Sequence, residues 1–342
     1  MMMKAVIYRN EGLVFDEVTR PVPKADQVLV RLADSGFCGS DHSMIVYKYV
    51  ADGSILGHEV SGIVVETGSN IDRSLIGSHV NVRPTYCGKC KYCLAGRTTL
   101  CNVNRVSLGK GEFSGGFAEY LLAYPQMLIP IPKGADSINA AMAEVFSTSL
   151  HAVHCTGVTG GSALVIGGGP IGLSMVKILK IQGFGPIALS EPVKEKQEIG
   201  SIFGADKGLD PFKDDLKSCA KEITGGEGFD AVFECSGIGG NIQLGIDCAA
   251  ASGAVSIVSV MMGNVSINPM SMNLRREVRL SGSYSSTHEE IGQCLHWMAE
   301  GKLDGRPMIS DMITLEELPS VYQERIHTGK ATKVMIKIGE EF

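Results

Sequence analysis

The sequence predicts an α/β chain in which a doubly wound parallel sheet is joined to a second, mainly β domain. Three observations carry this. The stretch Ser162–Gln182 reads as strand, glycine turn and helix. Beyond it, from Pro186 to Ser281, short apolar runs alternate with helical patterns, the rhythm of a parallel sheet covered by helices. Before it, Lys4–Glu17, Asp26–Ala33 and Val60–Glu66 are strand-like, with Pro21 and Pro23 between the first two. A length of 342 residues fits about two domains.

The glycine turn is the most informative stretch. Ala163–Ile166 suits a buried strand, and a helical pattern begins at Pro170, whose missing N–H would be an orphan in a first turn anyway. Gly167, Gly169 and Gly172 stand at G-x-G-x-x-G spacing. The first permits the tight turn, the second lets the backbone approach a pyrophosphate, and the third lets helix and strand pack closely. Gly167, Gly169, Pro170, Ile171 and Gly172 are therefore the candidate dinucleotide-binding residues, with the helix N-terminus facing the phosphates. Glu191 lies 19 residues past Gly172, where an acid binds the ribose hydroxyls. An acid there favours NAD and makes NADP the weaker expectation, although Lys194 and Lys196 follow closely.

Composition narrows the class. Asp and Glu number 37 against 31 Lys and Arg, a net charge of −6, which argues against a nucleic-acid partner. No apolar run approaches the roughly 20 residues of a membrane span. MMMKAVIYRN reads as a first strand and not as a secretory leader, so a cytoplasmic location is expected. The ten cysteines then point to metal or free thiols before disulfides.

Taken in order, Val28–Leu32 is a strand running into Cys38-Gly39-Ser40-Asp41-His42, and Gly57-His58-Glu59 precedes the strand at Val60. Cys38 and His58 are ligand types that zinc accepts, though two such residues twenty apart make no motif alone. Cys87, Cys90, Cys93 and Cys101 read C-x2-C-x2-C-x7-C, a spacing that can enclose one tetrahedral structural zinc; two disulfides are the competing reading.

The ordered set of Cys-Gly-Ser-Asp, Gly-His-Glu, cysteine lobe and glycine turn resembles the zinc-containing medium-chain dehydrogenases, within the branch of sorbitol-type, threonine, butanediol and sugar-acid dehydrogenases. The resemblance spans essentially the whole chain. It implies a GroES-like catalytic domain over 1–148 and 287–342, with a zinc lobe near 84–104, and a Rossmann domain over 149–286. It implies two zinc ions per chain and a homodimer or homotetramer. Cys38 and His58 match catalytic zinc ligands. Glu59 matches the acid beside that histidine, which ligates or stands close behind. Glu144 matches a further acid ligand, although Val145 replaces the usual proline. Ser40 matches the hydroxyl that receives the substrate proton. The relay histidine of relatives stands where this chain has Ser43, so His42, one residue earlier, is the relay candidate.

The remaining elements follow. Phe113–Leu122 reads as a strand introduced by Gly115 and Gly116, and Ser137–Ala152 as a helix carrying Glu144. Helices are expected at Lys194–Phe203, Phe212–Ile223, Ile242–Ala251 and His288–Gly301, and strands at Ala231–Cys235, Ala254–Val260 and Val278–Ser281. The expected function is hydride transfer between NAD and a secondary alcohol such as a polyol, sugar acid, hydroxy amino acid or diol. The alternatives are a zinc-independent NADPH carbonyl or enone reductase and an inactive dinucleotide sensor.

Overall fold

The computed structural model describes residues 1–10, 12–103, 105–109 and 113–342. The chain forms two compact units, Met1–Glu144 with Thr287–Phe342, and Val145–Ser286. The first crossing thus falls inside a helix, four residues before the 148/149 boundary expected from sequence. Among the described residues no helix is long and apolar enough to cross a membrane.

The first unit is mainly β. A hairpin-like pair, β1 (Met2–Arg9) and β2 (Gly12–Thr19), stands apart from a seven-stranded sheet. That sheet contains β3 (Val28–Gly36), β4 (Glu59–Thr67), β5 (His79–Val82), β6 (Tyr120–Ala123), β7 (Leu128–Pro130), and, from the end of the chain, β14 (Ile309–Thr314) and β15 (Lys333–Lys337). Its order is β14-β15-β3-β4-β5-β7, with β6 also pairing β3. β3 is nearly all buried, as its apolar run requires. It runs four residues beyond Leu32, because Asp34, Ser35 and Gly36 pair with β15.

Short helices place the candidate residues. α1 (Gly39–Val46) starts directly after Cys38, and α2 (Lys91–Leu94) lies inside the cysteine lobe. Phe113–Leu122 is not one strand. Gly115, Gly116 and Phe117 instead bond to the backbone of Ile55, Gly57 and Leu56 at 2.8–3.0 Å, which holds the approach to His58. α3 (Ser137–Thr156) is four residues longer than expected and carries the chain from the first unit into the second.

The second unit alternates β8 (Gly161–Ile166), α4 (Pro170–Ile181), β9 (Phe184–Ser190), α5 (Lys194–Phe203), β10 (Lys207–Leu209), α6 (Leu216–Ile223), β11 (Phe229–Glu234), α7 (Gly240–Cys248), β12 (Ala249–Ile257), α8 (Met270–Asn273) and β13 (Arg279–Gly282). All six strands are parallel, in the order β10-β9-β8-β11-β12-β13. This is the doubly wound Rossmann order, which reverses between β8 and β11. Several boundaries shift from the sequence reading, and two of them have a clear physical cause. α6 begins at Leu216, where the Asp215 carboxylate accepts the Lys217 N–H. Ala249–Ala251 belong to β12 and not to α7, because Ala249 pairs with buried Phe229 and sheet burial overrides alanine's helix preference. After α9 (His288–Ala299), the short helix α10 (Leu318–Val321) leads into a π-helical turn, Tyr322–Ile326.

Asp34 is a polar exception within β3. It is fully buried, and neither carboxylate oxygen has a hydrogen-bond partner of good geometry among the described residues. Desolvation pushes its carboxyl up from 3.8 to about 6, with the Ser137 hydroxyl acting the other way. The folded state therefore keeps a proton that the unfolded chain has already released. Stability attributable to this residue falls as pH rises from about 4 to about 6, by roughly 3 kcal/mol across two pH units. Asp34→Asn should match the parent near pH 4 and exceed it above pH 6.5 in urea unfolding. Identical pH profiles for the two proteins would show that Asp34 does not carry this proton.

Candidate active site and metal centres

Three distant segments of the first unit bring their donors together. Cys38 caps the start of α1, His58 immediately precedes β4, and Glu144 lies within α3. One ligand atom from each lies within 4.8 Å of the others. A thiolate, an imidazole and a carboxylate form a three-ligand set that suits zinc with a fourth position open.

Neighbouring groups hold this set. The Asp41 carboxylate accepts the Cys38 N–H at 3.1 Å, and its other oxygen is 3.2 Å from Nδ1 of His58. A proton on Nδ1 is thereby fixed, leaving Nε2 as the coordinating nitrogen. Burial alone would lower the His58 pKa. The Asp41 carboxylate and the Cys38 sulfur more than offset that, and the imidazole sits well above its ordinary value. A metal must displace the Nε2 proton of the imidazolium to bind. Arg83, just past β5, donates to Glu144 at 3.0 Å, and both are buried. Burial would raise the Glu144 carboxyl, but Arg83 and His58 hold it below its usual value.

The Ser40 hydroxyl lies 3.4 Å from Nε2 of His58. His42 faces elsewhere. Two residues apart on a helix means about 200° of rotation, so Ser40 and His42 leave on different faces. The His42 Nδ1 lies 3.2 Å from the Tyr322 hydroxyl, and its ring is 5.6 Å from that of His327. Burial, then the nearby His327, lowers its pKa. Glu59 also stands outside the set. As the neighbour of His58 at a strand start it points to the opposite face. There, fully buried, it pairs with the fully buried ammonium of Lys333, which also donates to the Phe37 carbonyl at 3.2 Å.

The second cluster comprises Cys87, Cys90, Cys93 and Cys101, whose sulfurs lie within 4.8 Å of one another. No cysteine is in a disulfide. The Cys87 sulfur accepts the Cys90 N–H and the Cys101 sulfur the Cys87 N–H, each at 3.3 Å. The Lys89 N–H helps draw the Cys87 thiol down to about 6, while desolvation and the neighbouring cysteines push Cys93 up to about 12. Four crowded sulfurs ionise together only when a cation compensates them, so this donor set fits a closed zinc site.

The second unit carries the glycine turn. Gly167 has φ +101°, and a Cβ at Gly172 would stand 1.7 Å from the Gly167 carbonyl oxygen. A Cβ at Gly169 would meet no protein atom within 4 Å, which leaves a cradle open to a ligand beside the N-terminus of α4, whose first residues are Pro170 and Ile171. The buried Glu191 carboxylate borders this turn, accepting the Gly168 N–H at 2.7 Å and the Val193 N–H at 2.9 Å.

Asp41, Arg83 and Lys333 were not singled out from sequence. Asp41 had a signal, since an acid at the third helical position commonly receives the N-cap N–H. Arg83 and Lys333 had none, because their partners are 61 and 274 residues away.

Lys333→Met should strand the Glu59 charge and lower stability by about 3–5 kcal/mol. Adding Glu59→Gln should recover most of that. Urea unfolding of the metal-loaded protein reads both effects, and a single variant as stable as the parent would refute the pairing.

Residues 24–133 match the alcohol dehydrogenase GroES-like domain family, and residues 170–300 the zinc-binding dehydrogenase family. The chain is 31% identical to a sorbitol dehydrogenase of Halalkalibacterium halodurans, over 98% of this chain and 99% of that one. It is 27% identical to an L-threonine 3-dehydrogenase of Pyrococcus abyssi, over 96% and 95%. A solved protein from Sinorhizobium meliloti 1021, with NADP bound, is 31% identical and superposes with a TM-score of 0.89, over 98% of this chain and 99% of that one. With its GroES-like sheet, Rossmann unit and zinc-suited donor sets, the chain belongs to the zinc-containing medium-chain alcohol dehydrogenases, oxidoreductases that exchange hydride between an alcohol and a nicotinamide cofactor.

Proposed function

We propose that this enzyme oxidises a secondary alcohol flanked by a second polar carbon, with NAD as the preferred acceptor and two zinc ions per chain. The observation that carries the reading is the convergence of Cys38, His58 and Glu144 from three separate segments. These three would hold the catalytic zinc, and the four lobe cysteines a structural one. The substrate class rests on the relatives, whose names cover a polyol and a hydroxy amino acid.

When bound, zinc supplies a Lewis acid that lowers an alcohol's pKa, and nicotinamide supplies the hydride acceptor. The chain's own residues do the rest. Asp41 orients the His58 ring, and Arg83 steadies the Glu144 carboxylate. Ser40 takes the hydroxyl proton of the substrate as its first acceptor. His42 is tied instead to the Tyr322 hydroxyl, which supports release of that proton through cofactor ribose and water. The glycine turn would bind the pyrophosphate. Glu191 would bind the ribose hydroxyls, and its charge opposes a 2′-phosphate.

Ten cysteines without a disulfide support a cytoplasmic setting. β13 is an edge strand, and Met270, Leu274 and Tyr284 near it are exposed, which supports assembly as a homodimer or homotetramer through this edge.

Metal analysis should find two zinc ions per chain. Cys38→Ser should lose one of them and all turnover on a panel of polyols, sugar acids, threonine and diols, while still binding NADH. Normal turnover by that variant would sink the ligand assignment. Glu191→Ser should raise the ratio of NADP to NAD kcat/KM by about tenfold or more, equivalent to about 1.4 kcal/mol. An unmoved ratio would remove Glu191 from cofactor choice.

A further inference from the structure

Glu234, the last residue of β11, is fully buried, and its carboxylate accepts four hydrogen bonds. Its Oε1 takes the Ser236 N–H at 2.8 Å, the Gly237 N–H at 3.1 Å and the Ser236 hydroxyl. Its Oε2 takes the Ser259 hydroxyl. Its main-chain carbonyl takes the N–H groups of Val258 and Ser259 at 3.0 and 3.2 Å. One residue thus gathers the loop after its own strand and the loop after β12.

The hold extends further. The Ser236 hydroxyl, besides donating to Glu234, accepts from the Asn241 amide at 2.8 Å and the Ile238 N–H at 3.2 Å, which ties in the start of α7. On the other side Ser236 abuts the glycine turn. A Cβ at Gly167 would lie 2.8 Å from both the nitrogen and the Cα of Ser236. Three loops at the carboxyl edge of the sheet, after β8, β11 and β12, therefore meet around one carboxylate.

This location is informative. Ligands of a doubly wound sheet enter the crevice where strand order reverses, here between β8 and β11. The Gly167 turn forms one wall and the Ser236–Gly237 loop the other. A buried carboxylate is unfavourable unless its lone pairs are filled. Here all four donors are uncharged N–H and O–H groups, so the negative charge is held by loop atoms alone. Such an arrangement fixes the donors' positions: any drift of the loops leaves a charged oxygen unsatisfied in a dry site.

We propose that Glu234 is a positioning residue for the nicotinamide dinucleotide, setting the crevice wall opposite the glycine turn by clamping the β11 and β12 loops. The proposal rests on the dehydrogenase reading above. Glu234 needs no contact with the cofactor. Its effect is on the shape that the cofactor meets.

The test uses Glu234→Gln, which keeps the shape and removes the charge, and Ser259→Ala, which releases only the β12 loop. NADH fluorescence titration gives Kd, steady-state kinetics give KM for cofactor and for alcohol, and melting without cofactor reports folding. Both variants should raise the NADH Kd and the cofactor KM about fivefold or more, the scale of one ordinary hydrogen bond. Alcohol KM at saturating cofactor and zinc content should stay within about twofold of the parent. Folded variants that bind NADH like the parent would overturn the proposal. So would weakened binding that tracks a lowered melting temperature in both, because that marks a merely structural role. If the parent itself bound no nicotinamide dinucleotide, the dehydrogenase reading would fall first and this proposal with it.

Discussion

The buried ion pair between Glu59 and Lys333 sets the conditions for the first unit. Both side chains are fully excluded from solvent. Neither could remain charged there alone, and an isolated buried charge is among the most destabilising features a fold can contain. The pair joins the start of β4 to β15, while the same ammonium holds the Phe37 carbonyl. Phe37 precedes Cys38 and His58 precedes Glu59, so one interaction fixes the backbone beside two proposed zinc ligands. The carboxylate that sequence placed in or behind the metal set serves as the anchor behind it.

The two units place their polar groups by the same means. Apolar strands supply rigid frames, and the chemistry sits at their ends. In the first unit, residues at the end of β3, the start of β4 and the middle of α3 converge, and Asp41 and Arg83 hold them. In the second, the glycine turn after β8 and the Ser236 loop after β11 form two walls, and Glu191 and Glu234 satisfy the loop amides. Among the described residues, Glu59 is held on one oxygen only, by Lys333, while Asp34 has no donor of good geometry on either oxygen. The raised Asp34 pKa follows from that lack.

Local spacing was readable in the sequence, and distant pairing was not. The cysteine lobe and the glycine turn each fit within a short stretch whose spacing reflects its geometry, so their residues could be named in advance. Cys38, His58 and Glu144 were nameable only together, through the order of motifs along the chain. Lys333 had no signal, because nothing local distinguishes a lysine that will be buried 274 residues from its partner. The fate of His42 was unreadable for a related reason. Its partners Tyr322 and His327 lie in and just after a π-helical turn far along the chain. The misplaced α7–β12 boundary shows the other limit, where an alanine run with helical preference is drawn into a strand by its neighbours.

The long interval between Glu59 and Lys333 also orders events during synthesis. The N-terminal part of a chain emerges first and begins to fold as it is made. Cys38, His58 and Glu144 all leave the ribosome well before Lys333, and until then Glu59 has no ammonium to neutralise it. β15 is the last strand of the first unit to be made. The ion pair that the first unit depends on is therefore a late contact, completed only when almost the whole chain has been synthesised.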